Sequence, residues 1–129
     1  MNELNNVANV NGTYDNIPTS LTSNTSVVNL IEGLTLTKDA DKKNWSSGDL
    51  TYTITIDNQT DKSYVGPVLT DVIDNNFVDF IEDSVMLDGV KMDTSKYSYD
   101  TGTHTLTVNL DDISASSSTT LTFRVKKKA

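Results

Sequence analysis

The chain has 129 residues, room for one domain with or without a tail, and carries a formal net charge of −8. That charge repels nucleic-acid phosphates and anionic lipid, and it admits cations, basic partners or plain solvation. There is no cysteine, so disulfides and thiolate metal sites are excluded, and no apolar run approaches the roughly 18 residues that cross a bilayer.

Apolar residues make up only 36%, so the core must be small. Ser and Thr supply about a quarter of the chain, and the branched Cβ of Thr favours extended backbone. The start, Met1 to Asn6, has no basic and apolar leader, so an export signal is expected to lie outside this sequence.

Leu4-Asn-Asn-Val-Ala-Asn-Val10 reads as a candidate strand. Residues 12–24 are rich in Thr, Ser and Asn and carry Pro18. Thr25-Ser-Val-Val-Asn-Leu-Ile31 is a second candidate strand. Glu32-Gly33 then leads directly into Leu34, a joint too short for a flexible linker. The expected division is therefore residues 1–32 as terminal strands or a junction, and 33–129 as the body.

Within the body, Leu34, Leu36 and Lys38 share one parity. The clearest strand is Leu50-Thr-Tyr-Thr-Ile-Thr-Ile56, with Leu50, Tyr52, Ile54 and Ile56 on one face and threonines on the other. Pro67 marks an edge or a strand start ahead of Val68-Leu-Thr-Asp-Val72. Residues 74–81 read either as a turn with a short strand or as one helical turn. Asp88-Gly89, between Val85-Met-Leu87 and Val90-Lys-Met92, predicts a two-residue hairpin. Asp100 to Thr103 joins Lys96–Tyr99 to a strand with Leu106, Val108 and Leu110 inward. The last strand places Leu121, Phe123 and Val125 inward. No stretch has a 3.6-residue period. The prediction is an all-β, immunoglobulin-like antiparallel sandwich of about seven strands.

The ordered segments Leu34-Thr-Leu-Thr-Lys38, Gly48-Asp-Leu-Thr-Tyr-Thr-Ile-Thr-Ile-Asp-Asn58, Val68-Leu-Thr-Asp-Val72 and Tyr99-Asp-Thr-Gly-Thr-His-Thr-Leu-Thr-Val108 resemble a known family. It is the Ig-like conserved repeat of microbial surface proteins, the domain of unknown function number eleven, found in tandem arrays. The resemblance covers most of 33–127. Such repeats end in a Thr-Asn-Thr-Ala-like strand, which the body lacks. Asn5-Asn-Val-Ala-Asn-Val10 and Ser23-Asn-Thr-Ser-Val-Val28 resemble that ending but stand at the front. The resemblance thus implies the tail of one repeat followed by the body of the next.

Three polar residues fall at core parity: Lys38, Asp71 between Leu69 and Ile73, and Asn6 with Leu4, Ala8 and Val10. A lone buried charge costs several kcal/mol, so they meet one another or their strands end first. The resemblance implies a self-formed Lys–Asn isopeptide bond, with Lys38 as nucleophile, Asp71 as the acid that shuttles protons, and Asn6 as acceptor. The plainer alternatives are a lysine snorkelling at a strand end, an aspartate capping a turn or pairing with Lys38, and an asparagine in a frayed terminus.

Other signals are weaker. Asp39, Asp41 and Asp49 crowd one loop and offer oxygen ligands of the kind Ca²⁺ takes, without EF-hand spacing. Otherwise no cofactor is expected. Trp45 reads as a sugar-stacking ring or as a lid over the sandwich end, and Tyr64 is the other loop aromatic. Four Asn-x-Ser/Thr triplets, at Asn11, Asn24, Asn44 and Asn58, are what this composition yields by chance. No catalytic constellation is visible. The functional expectation is a structural spacer repeat of an extracellular, cell-surface protein, with neighbouring repeats as partners. The alternatives are an adhesive module for a host protein or glycan, and an accessory domain of a secreted hydrolase. Neither nucleic-acid binding nor membrane insertion is expected.

Overall fold

The computed structural model describes residues 2–128. These are all-β, and the one helical feature among them is a single 3-10 turn at Thr94–Lys96. The chain divides into two compact units, Met1–Glu32 and Gly33–Ala129.

The first unit holds β1 (Asn2–Asn6), β2 (Asn9–Tyr14), β3 (Ile17–Thr22) and β4 (Ser26–Leu30). β1 pairs antiparallel with β4, and β2 with β3. Together they make one long ribbon, broken where the register slips by a residue between Asn6↔Ser26 and Asn9↔Thr22. At the break the Ala8 amide donates to Ser23 Oγ and the Ser23 amide to the Ala8 carbonyl, both at 2.9 Å. The ribbon turns at Asp15-Asn16, both in the left-handed region. Two such residues give the twist that a two-residue hairpin requires. Residues 12–24, marked in the sequence only by their Thr, Ser and Asn content and by Pro18, are thus mostly strand. The extra residue lies on the 22–26 side of the ribbon, and Asn6, Ala8 and Val10 on the other side are all exposed.

The second unit is a β-sandwich. It comprises β5 (Leu34–Ala40), β6 (Asp49–Asn58), β7 (Val68–Val72), β8 (Val78–Phe80), β9 (Met86–Leu87), β10 (Val90–Lys91), β11 (Tyr97–Asp100), β12 (Thr105–Asn109) and β13 (Ser117–Lys127). Seven of these have three residues or more, and β9–β10 is the short hairpin turned by Asp88-Gly89. One sheet runs β10-β9-β13-β6-β5, with β8 also on β13; the other runs β11-β12-β7. Every pairing is antiparallel. Residues 74–77 make a turn seeded by the Asp74 carboxylate, which accepts from the Asn76 amide, and β8 follows it.

β6 and β13 pair over ten residues, Asp49↔Lys126 to Asn58↔Ser117. Their alternation sends Leu50, Ile54, Ile56, Leu121, Phe123 and Val125 into the interior. The opposing sheet sends Leu69, Leu106 and Val108 to meet them. Aromatic rings bridge the layers: Tyr52 to Phe123 at 5.5 Å, Phe123 to Phe80 at 6.1 Å, and Phe80 to Tyr99 of the other sheet at 4.8 Å. Tilted rings at such spacings attract beyond their buried area.

Two buried polar residues fasten the ends of strands. Asn58 has no exposed surface; its amide nitrogen donates to the carbonyls of Lys62, Ile113 and Ser114, and its oxygen accepts from the Thr60 amide and hydroxyl. Ser84 Oγ accepts from the Arg124 amide at 3.0 Å and donates to the Ile81 carbonyl. It fills the gap on β13 between the stretch paired with β9 and the stretch paired with β8.

Candidate functional site

The site is the open side of the sandwich, between β5 and β7, which are the terminal strands of their sheets. A cleft of about 370 Å³ lies there, lined by Leu34, Leu36, Lys38, Ile56, Leu69 and Asp71 among others. Each of these residues faces it for a register reason. Leu36 and Lys38 stand opposite the buried Ile56 and Ile54 across the β5–β6 ladder. Asp71 stands opposite the fully buried Leu106 across β7–β12. Directly opposed residues leave a sheet on the same face, so all three point toward the interior.

Lys38 Nζ lies 2.7 Å from Asp71 Oδ2. The Asp71 side chain is 8% exposed and that of Lys38 43%. The ammonium also sits 4.5 Å from the centroid of the Tyr52 ring. Carboxylate and ring face both favour a cation there. Of the three polar residues singled out by parity, two therefore meet across the layers. Asn6 belongs to the other unit, where it pairs with Ser26 in the β1–β4 ladder. The role of Tyr52 escaped the sequence reading, although its parity with Ile54 was visible.

The remaining candidates have other partners. The Asp41 carboxylate accepts from the Thr51 amide at 3.0 Å and lies 4.0 Å from Lys42 Nζ. Asp49 pairs with Arg124 at 2.7 Å, and Asp39 is exposed on β5. No cluster of three His, Cys, Asp or Glu side chains suited to a metal occurs among the described residues. Trp45 packs half-buried against the core, and its indole N–H donates to the Gly48 carbonyl at 3.1 Å. Tyr64 is 39% exposed, and its backbone exchanges hydrogen bonds with Ile113.

The titrations with a resolved direction lie away from the cleft. Burial raises the Tyr97 and Tyr99 hydroxyls, with nearby carboxylates adding to it. Hydrogen bonds from Ser95 lower Asp93 at the start of the 3-10 turn. No helix among the described residues is long and apolar enough to cross a membrane.

No family model matches the chain, and no curated protein or solved structure matches it.

Proposed function

We propose that the chain is a structural spacer repeat of a secreted or cell-surface microbial protein, with no catalytic role on an outside substrate. One observation carries this reading. A ribbon with no buried side chain from residue 3 to residue 29 precedes, after only residues 31–33, a sandwich that is open along one side. In an array of repeats, faces of this kind are buried between neighbouring copies. The joint supports the same reading: the Gly33 carbonyl accepts from the Gln59 amide at 2.7 Å, so the chain is tied down as it enters β5.

The Lys38–Asp71 pair gives such a rod a means of locking itself. The pair sets a candidate nucleophile, Lys38 Nζ, beside a carboxylate placed to relay protons, Asp71. In the crosslinking step Nζ bonds to Cγ of an Asn6 carboxamide delivered to it; Asp71 relays the two protons that Nζ sheds, one to the departing nitrogen and one to solvent, and ammonia leaves as the amide forms. The 2.7 Å separation and the shared inward face support these roles.

Chains of one, two and three joined copies test the reading by small-angle scattering. The maximum dimension should rise linearly with copy number; a compact particle that only gains volume would contradict a spacer. On the same samples, intact mass should fall by one ammonia for each crosslink, and the loss should vanish with Lys38→Ala.

A further inference from the structure

Of the chain's 13 asparagines, Asn11 alone precedes a glycine. The fold accounts for the other glycines better than for this one. Four of the other five have positive φ, and a Cβ on the fifth, Gly102, would lie 3.2 Å from Asp100 Oδ1. Gly12 has neither reason. It sits inside β2 opposite Thr19, and a Cβ there would meet open space. Glycine weakens a strand, so the one property left to it here is a bare amide. With no side chain beside its nitrogen, Gly12 offers the least hindered backbone nucleophile that an asparagine carboxamide can meet.

Asn11 is exposed, and two restraints hold its carboxamide away from that amide. The extended backbone of β2 keeps Cγ off the line of attack, and the Ser20 hydroxyl donates to Asn11 Oδ1 at 2.8 Å. Both lapse whenever the hairpin opens. No side chain from residue 3 to residue 29 is buried, so opening costs little. Asp88-Gly89 is the opposite case. Aspartate can cyclise in the same way, with water as the leaving group. There, however, the Asp88 amide donates to the Thr120 carbonyl and the Asp88 carboxylate accepts from the Thr120 amide, both at 2.8 Å. Thr120 belongs to β13, whose Leu121, Phe123 and Val125 have no exposed surface.

We propose that Asn11-Gly12 is a site of spontaneous modification, and that one of its products opens the β2–β3 hairpin. The Gly12 nitrogen bonds to Asn11 Cγ. The Cγ–Nδ2 bond breaks, and Nδ2 leaves as ammonia with the proton of the Gly12 amide. Water then opens the cyclic imide. Addition at Cγ gives aspartate in an unaltered main chain. Addition at the Asn11 main-chain carbonyl gives isoaspartate, which carries an extra carbon in the main chain. Gly12, Thr13 and Tyr14 then fall out of step with Thr19, Pro18 and Ile17. Either product adds a carboxylate to a ribbon whose acidic or basic residues from 2 to 30 are Glu3 and Asp15 alone.

The test incubates the full chain at mildly alkaline pH beside the free peptide Asn9-Val-Asn-Gly-Thr13, and follows both by peptide mapping that separates aspartate from isoaspartate. Asn11 should convert within about tenfold of the peptide's rate, ahead of every other asparagine and of Asp88. Gly12→Val should slow conversion about 10-fold or more, because a branched Cβ shields the amide and suits a strand. The open space at position 12 lets that variant fold. In the purified isoaspartate form, amide NMR signals of residues 9–22 should move to random-coil positions while those of β6 and β13 hold. Asn11 left intact when the peptide has converted, Gly12→Val converting at the wild-type rate, or an isoaspartate form with unchanged β2–β3 signals would each overturn the proposal. The spacer reading stands or falls separately. Ammonia lost at the imide should vanish with Gly12→Val and survive Lys38→Ala, the reverse of a loss caused by the crosslink.

Discussion

Asp71 and Lys38 share an ion pair but not an environment. The carboxylate is nearly enclosed, whereas water reaches the ammonium. Removing either partner should therefore cost different amounts. Lys38→Met strands a charge on the core face and should lower unfolding free energy by about 2–3 kcal/mol. Asp71→Leu leaves a cation that solvent can take up and should cost about 1 kcal/mol or less. Urea titration of the two variants checks this, and equal losses would mean that Asp71 is better hydrated than its surroundings suggest. Asn58 works on a larger scale for one residue, since a single carboxamide ties the end of β6 to the 60–62 turn and to the loop before β13. Asn58→Ala strands buried carbonyls and should cost about 2–4 kcal/mol. Asn58→Asp should be no better, because a carboxylate cannot donate to them; full stability in the Asp variant would remove the donor role.

Among the elements, turns and strand ends depend on backbone more than on side chains. Gly33 and Gly89 both have positive φ, +92° and +83°. A Cβ at Gly89 would meet open space, but at Gly33 it would lie 3.3 Å from the Gln59 carbonyl carbon. Gly89→Ala should thus cost about 1 kcal/mol from conformation alone, and Gly33→Ala about 2–3 kcal/mol with the clash added. Thermal unfolding ranks the two, and a Gly33→Ala protein as stable as Gly89→Ala would contradict the close approach. The strands most legible in the sequence were β6, β12 and β13, where threonine alternates with large apolar residues and the face to be buried is unambiguous. The β2–β3 pairing was not legible: Pro18 and a run of Thr, Ser and Asn mask Val10, Tyr14, Ile17 and Leu21 on one face. Asn58 was visible only as part of a common triplet, because nothing in an alternating pattern says which polar strand end is roofed by loops. Lys38 and Asp71 were found by parity, since a charge at a core position must be paired. Their position on an open side could not be read, because alternation gives the direction of a side chain and not its cover. Leu36 and Ile56 have the same parity and opposite exposure.

At the scale of the molecule, two kinds of β structure sit in one chain. The body has a continuous interior that includes Val85, Leu106, Val108, Leu121, Phe123 and Val125, each with no exposed surface. The ribbon has ladders and no interior. Stability should divide accordingly, since slow amide exchange needs both a hydrogen bond and burial that resists local opening. Hydrogen exchange read residue by residue on a dilute, monomeric sample tests this division most directly. Amides of β6, β12 and β13 should exchange only through global unfolding, and those of residues 2–30 should exchange orders of magnitude faster despite their paired backbone. Ribbon amides protected in that sample as strongly as those of β13 would contradict the account.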